Sequence, residues 1–449
     1  MKRFLMQDLI AWKNNPKRKP LILQGVRQTG KTFLLTEFGR AHFRRMHLIN
    51  FEKQNIFVKL FQADLEPKRI LDDLSFQLQT RIDLSQDLLI FDEIQACPNA
   101  ITSLKYFCED IPELAVCSAG SLLGLHLNDS SFPVGKVDMM HLYPMTFTEF
   151  LAGIGDEEAF NFVCDYKNGD NISDIKHNYL WERLKHYFIA GGLPEVVDTF
   201  RNFSENLFEA TQSVRSKQEE LIVAYYADIA KHSGKINAMH IDRTWRAVPM
   251  QLASSHEDSS SRFKFKDIIP GLDRYSKLVG VIDWLEAAQL IFRLPLVSSF
   301  EQPIQAYTKE NMFKMMLFDV GLLGAMIAMD PGIILKYDYG TYKGYFAENF
   351  VGQQFLARKM SPLFSWQEDR SEIEFLFSYR EGVVPIEVKA GYIIRAKSLE
   401  KYRNKYHPKY SIILSAKLPY YNLSQGSIYL PLYLAERIPE LLHQLPGML

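Results

Sequence analysis

The sequence predicts an α/β protein whose N-terminal side is a parallel-sheet layer, and three observations carry that prediction. Short apolar, β-like runs alternate with longer amphipathic stretches over residues 1–150, the texture of a sheet covered by helices. A glycine-rich loop lies between the first of these runs and the first apolar-periodic helix, a junction that such folds build at the C-terminal ends of their strands. Strand candidates return after residue 331 and imply a second α/β layer.

The elements follow in order. Leu21-Ile22-Leu23, Leu48-Ile49-Asn50-Phe51, Leu88-Leu89-Ile90-Phe91 and Leu114-Ala115-Val116-Cys117 are the β-like runs of the first region, residues 1–150. Residues 151–235 form a helical linker or lid, including Leu180 to Ile189 and Leu207 to Ala230, broken by Gly191-Gly192-Leu193-Pro194. In residues 236–330, Leu278, Ile282 and Leu285 keep helical spacing and β-like Ile291 to Val297 follows, the order of a winged helix. That helix carries Lys277 but also Asp283 and Glu286, poor chemistry for a groove of phosphates, so a structural or protein-contact role is expected. The polar loop Ser254 to Ser261 reads as an insert. Residues 331–449 hold strand candidates Glu372 to Ser378, Val383 to Val388 and Ser411 to Leu414.

Composition excludes several classes. With 449 residues, 47% apolar and 23% charged, the chain is neither disordered nor fibrous. The formal net charge of −1 conceals asymmetry: 11 bases against Asp8 and Glu37 in residues 1–50, then 6 bases against 12 acids in residues 51–120. Neutrality therefore leaves nucleic acid open as a partner. Cys97, Cys108, Cys117 and Cys164 show no C-x-x-C spacing, as expected of reduced thiols in a cytoplasmic protein. Asp8 and Lys13 interrupt any signal-peptide core, and the apolar stretch from Val320 to Met329 is too short for a bilayer. No membrane association is expected. The histidines make neither H-E-x-x-H nor a cysteine pairing at zinc spacing.

Residues Gly25-Val26-Arg27-Gln28-Thr29-Gly30-Lys31-Thr32 match G-x-x-x-x-G-K-[ST] in full. Gly25 and Gly30 let the backbone curl so that successive N–H groups face an anion, and the following helix adds its positive N-terminal end. Lys31 would reach the β- and γ-phosphates and the Thr32 hydroxyl would hold Mg²⁺. The second half of the site is Leu88 to Phe91 followed by Asp92 and Glu93, a buried strand delivering carboxylates to its C-terminal edge. Asp92 would orient Mg²⁺ and Glu93 would polarise the attacking water. No N-K-x-D, L-S-G-G-Q or Q-x-x-G-R-x-x-R element is present, leaving an ATPase with a catalytic glutamate. Ser118 and Ser121 compete as the polar residue facing the γ-phosphate, an ordinary strand-to-helix cap being the alternative.

These motifs, with Gly120-Ser121 and Tyr143 to Leu151, resemble the AAA-type prokaryotic ATPases of the AAA_14 family. Gly191 to Glu195, Phe318 to Leu323, Glu348-Asn349 and Pro385 to Gly391 resemble the DUF4143 region, usually fused behind that ATPase. The resemblance implies an AAA-type ATPase domain, a helical and winged-helix middle, and a C-terminal domain similar to restriction endonucleases. Many members have Gly-Arg where this chain has Gly135-Lys136. Lysine supplies charge there but no bidentate fork.

Glu387 and Lys389 lie on a strand pattern and project to one face, with Glu374 on the neighbouring strand candidate. Two carboxylates beside an ammonium suit a second divalent metal that activates water against a phosphodiester, with Glu348 completing the shell. This resembles the PD-(D/E)-x-K nuclease arrangement with Glu374 in place of the usual Asp. The alternative is an ion pair without catalysis. Arg395, Lys397, Lys401, Arg403, Lys405 and Lys409, interleaved with Tyr402 and Tyr406, oppose only Glu400. They read either as a nucleic-acid footprint or as a solvated helix face. The expectation is an ATP- and Mg²⁺-dependent hydrolase coupled to a nuclease-like domain that binds or processes DNA. Its alternative is a regulatory switch with an inactive nuclease-like domain, acting on a protein partner or as a homo-oligomer.

Overall fold

The structure is a computed structural model that describes residues 1–121, 123–126, 132–254, 262–299, 303–336, 343–380, 382–392 and 396–445. The expected polar insert beyond Ser254 and Arg395 of the basic stretch lie outside the described residues. The chain divides into two compact units: residues 2–143 with 287–289, and residues 144–286 with 290–449 and Met1. No helix among the described residues is long and apolar enough to cross a membrane.

The N-terminal unit is built on five strands: β1 (Leu21–Gln24), β2 (Arg45–Asn50), β3 (Asp87–Asp92), β4 (Ala115–Gly120) and β5 (Asp138–His141). Their order is β2-β3-β4-β1-β5 and every neighbouring pair is parallel. Both faces are covered, which is why β1, β3 and β4 are buried throughout. Alternation assigns the faces. Leu21, Leu23, Leu88 and Ile90 pack with Leu9, Leu34 and Phe38. Ile22, Leu89, Phe91 and Val116 pack with Phe61, Leu74, Leu104 and Phe107 on the other side. The chain leaves β1 for the far edge at β2 and returns to flank β1 with β5. The strand ends at β1, β4 and β3 therefore border one crevice where connections diverge, the place such sheets bind ligands. This is a parallel-sheet P-loop ATPase fold.

The second unit opens with helices, among them Phe147–Gly153, Asp174–Ala190, Leu207–Ser233 and Lys235–Ser254. The break at Gly191 to Pro194 has a packing cause. Gly191 ends its helix at φ 73°, and a methyl group on Gly192 would lie 2.2 Å from the Met145 carbonyl oxygen. Asp319 accepts from the Gly192 N–H at 2.7 Å and from the Leu322 N–H at 3.0 Å. The Gly-Gly and Phe-Asp-Val-Gly motifs are thus two halves of one tertiary junction.

A sheet of eight strands follows: β6 (Ile291–Val297), β7 (Thr308–Leu317), β8 (Leu363–Glu368), β9 (Ser371–Tyr379), β10 (Gly382–Val388), β11 (Ser411–Ser415), β12 (Tyr420–Asn422) and β13 (Ser427–Pro431). Their order is β12-β13-β11-β10-β9-β8-β6-β7. The antiparallel β6–β7 hairpin comes after the helix Tyr275–Ala287, whose Leu278, Ile282 and Leu285 are buried. β6 also pairs parallel with β8, so the strand read as the wing is a member of the C-terminal sheet.

Candidate functional site

The loop 25–32 leaves β1 in a tight curl. Gln28 and Gly30 are left-handed, at φ 66° and 89°, and Gly30 caps the helix Lys31–His42. Left-handed residues alternating with ordinary ones turn N–H groups to one side and make an anion nest. A methyl on Gly25 would lie 2.4 Å from the Leu142 carbonyl oxygen, so the loop start is pressed against the segment that follows β5. Thr29 donates from its hydroxyl to the Val26 carbonyl at 2.8 Å. Lys31 is buried, and its ammonium donates to the Gly25 and Val26 carbonyls at 2.8 and 2.9 Å. It is thereby held over the loop it would serve.

Asp92, at the end of β3, is brought to the same edge. Its carboxylate accepts the Thr32 hydroxyl at 2.9 Å and the Asn50 amide at 2.8 Å. A hydroxyl and a carboxylate facing each other are the hard oxygen donors Mg²⁺ prefers, with its remaining positions left to water and phosphate. Glu93 follows at φ 50°, and its carboxylate accepts from the Gln95 amide at 2.6 Å. Gly120 lies close under Gln95: a Cβ there would stand 2.5 Å from the Gln95 side-chain amide oxygen. Ser121 follows β4, and its hydroxyl oxygen accepts from Arg27 Nε at 3.3 Å. Ser118 is fully buried within β4, its hydroxyl without a hydrogen-bond partner among the described residues. Of the two serines, Ser121 borders the loop. Lys136 is ion-paired with Glu109 at 2.9 Å.

Three further contacts complete the surroundings of the loop. Asn50 reaches Asp92 because the parallel register of β2 and β3 sets the two opposite each other. Arg27 extends to Glu52 at 3.4 Å beyond the end of β2. Arg3 donates to the Thr29 carbonyl at 2.8 Å and to the Tyr143 carbonyl, tying the loop to the chain leaving this unit.

In the second unit Glu374 on β9, Glu387 on β10 and Lys389 also converge. Lys389 lies 2.7 Å from Glu387 and 3.8 Å from Glu374, and Glu374 accepts the Val388 N–H at 2.9 Å. Burial pushes both carboxyls above the usual carboxylate range, with the Lys389 charge pulling them back. Glu348, on the helix Lys343–Ala357, pairs with Lys314 of β7 at 3.1 Å, and its charge also acts on Glu374 and Lys389. Three bases of the helix Lys397–Tyr406 have partners within the fold. Lys401 and Lys405 pair with Asp369 and Glu368 at 3.0 and 2.6 Å, and Arg403 donates to Ser427 and the Gln425 carbonyl. Tyr402 is fully buried, its ring 5.2 Å from that of Trp366. It packs the core and presents no face for a base.

Comparison with known proteins matches three family models along the chain. Residues 17–151 match the AAA domain family AAA_14, and residues 343–435 match the domain of unknown function DUF4143. Residues 181–332 match a further domain of unknown function, DUF8612. Among solved structures, a Walker-type ATPase of Pyrococcus abyssi is 16% identical, covering 72% of this chain and 94% of its own at a TM-score of 0.47. Caenorhabditis elegans PCH-2 is 13% identical, with coverages of 47% and 67% and a TM-score of 0.31. The Aeropyrum pernix ORC1 protein in complex with DNA is 14% identical, with coverages of 72% and 90% and a TM-score of 0.31. No curated protein sequence matches the chain.

Proposed function

We propose that this protein hydrolyses ATP at the loop 25–32 and passes its nucleotide state to the C-terminal unit, which engages DNA. The observation that carries hydrolysis is the Thr32–Asp92 contact with Glu93 one residue further on. The loop N–H groups would receive the phosphates, and Lys31 would exchange its two carbonyl partners for β- and γ-phosphate oxygens. Mg²⁺ held by Thr32 and, through water, by Asp92 would neutralise charge on the leaving diphosphate. Glu93 would take a proton from the attacking water as the γ-phosphate bond breaks, yielding ADP and phosphate. Ser121 and the Arg27 guanidinium stand at the edge where the γ-phosphate would arrive.

Coupling is supported by Arg3, whose guanidinium bonds the Thr29 carbonyl of the loop and the Tyr143 carbonyl of the exit segment. A loop that shifts on closing around a nucleotide would pull that segment. Glu93→Gln should bind ATP without turning it over, and Lys31→Ala should not bind it. Arg3→Ala should keep ATP binding but lose the nucleotide-dependent change in amide exchange over residues 144–153. Full turnover by Glu93→Gln would overturn the assignment of the water-activating residue.

One observation favours a second reading, a regulatory switch whose C-terminal unit docks a protein. The bases Lys401, Arg403 and Lys405 are engaged within the fold. A salt titration of DNA binding separates the readings. Phosphate contacts give an affinity that falls steeply with salt, whereas absence of binding at low salt supports the protein partner.

A further inference from the structure

The cluster around Glu374 and Glu387 contains a cation that the sequence does not associate with it. Lys314 lies on β7, three strands removed from β9 in the sheet order, and its side chain is only 1% exposed. Its ammonium pairs with Glu348 at 3.1 Å and with Glu372. Glu372 is on β9 two residues before Glu374, so both project from the same face. Four carboxylates, Glu348, Glu372, Glu374 and Glu387, are therefore shared between two ammonium groups, those of Lys314 and Lys389.

Much of the oxygen set a divalent ion would need is already committed, the buried Glu387 Oε2 being the exception. Such an ion needs several oxygens converging at about 2.0–2.6 Å, whereas Glu348 and Glu372 both direct an oxygen at Lys314. Glu374 has one oxygen committed to the Val388 N–H. Among the described residues, no three acidic, histidine or cysteine side chains form a group that could hold a metal ion. An ammonium neutralises neighbouring carboxylates through three donors, but it offers no open coordination position for a water. It cannot act as the Lewis acid that turns water into a nucleophile.

We propose that Lys314 is the built-in cation of this cluster, taking the role of a divalent ion, so that the C-terminal unit folds without metal and does not cleave phosphodiesters. The charge balance explains how these acids can gather: like charges on neighbouring strands repel, and each pair of carboxylates here has an ammonium against it. This inference goes beyond ATP turnover and is tested apart from it, in protein free of nucleotide.

The experiment is Mn²⁺ titration of the full chain by calorimetry and by water-proton relaxation. Wild-type protein and Glu387→Gln should give the same isotherm, with no C-terminal site in either. Lys314→Ser should gain one saturable Mn²⁺ site, at least about tenfold tighter than any wild-type binding, a difference of about 1.4 kcal/mol. Adding Glu372→Gln should remove it. A wild-type site that Glu387→Gln abolishes overturns the proposal whether or not the Lys314 variants fold. Folded Lys314→Ser that gains no site overturns it as well. Nicking of supercoiled plasmid by wild-type protein in Mg²⁺ or Mn²⁺, lost in Glu387→Gln, is the third refuting outcome. ATP turnover, read on the same preparations, reports separately on the nucleotide site.

Discussion

Replacing Asp92 by asparagine swaps a carboxylate for an amide of nearly the same shape at the point where β2, β3 and the phosphate loop meet. In the native protein both carboxylate oxygens are occupied, one by the Thr32 hydroxyl at 2.9 Å and the other by the Asn50 amide at 2.8 Å. Asparagine can keep its oxygen toward Asn50 and turn its NH₂ toward Thr32, whose hydroxyl then accepts. Two hydrogen bonds to a charged group become two neutral ones, each weaker by about 1 kcal/mol. Asp92→Asn should thus destabilise the N-terminal unit by about 2 kcal/mol. Asp92→Ala leaves both donors unanswered and should cost more, about 3 kcal/mol. The functional signature is separate from stability. Magnesium should strengthen ATP binding to the wild type, and Asp92→Asn should lose about tenfold of that enhancement, or about 1.4 kcal/mol. Fluorescent-ATP titrations with and without Mg²⁺, paired with chemical denaturation, measure both effects. If Asp92→Asn kept the wild-type Mg²⁺ enhancement, the placement of the ion between Thr32 and Asp92 would be wrong, however stable the variant.

Other consequences can be measured directly. Glu93→Gln should lower ATP turnover by about 10²- to 10⁴-fold while leaving the ATP dissociation constant within about twofold, as read in single-turnover assays. Gly192→Ala forces a methyl group against the Met145 backbone and should destabilise the C-terminal unit by about 1–3 kcal/mol in urea unfolding. His186 is buried against Phe200, and desolvation, with Arg183 and Lys185 adding to it, lowers its pKa from 6.5 to about 4. The folded protein therefore keeps it neutral while the unfolded chain protonates. Its contribution is complete above pH 6.5 and is lost as pH falls toward 4, by about 1.4 kcal/mol per unit. His186→Phe should flatten that part of the stability–pH profile, and an unchanged slope would count against the assignment.

The candidate nucleotide site is legible in the sequence because its residues are local. The loop is eight consecutive residues, and the strand carrying Asp92 is an uninterrupted apolar run because both faces of β3 are covered. The helical break at Gly191 was visible, but its cause was not. It lies in Asp319, far along the chain, which hydrogen-bonds the Gly192 N–H. Asn50 and Arg3 carry no motif, and each becomes part of the site through register or a backbone contact. Glu374, Glu387 and Lys389 were found by strand periodicity, and the structure brings them together. Glu348, expected to complete their shell from a helix, stands within reach of their charges and is paired with Lys314, which no sequence pattern links to it.

The sequence by itself determined the α/β class, the phosphate loop and the acids paired with it, since periodicity and short motifs record what a residue's near neighbours require. Tertiary structure alone decided which charges meet. Strand order carries Lys314 of β7 to carboxylates on β9 and on the helix 343–357. The same packing turns Tyr402 into the core and directs Lys401 and Lys405 onto Glu368 and Asp369. Buried charge has to find a partner wherever the chain can supply one, and distance along the sequence does not limit that choice.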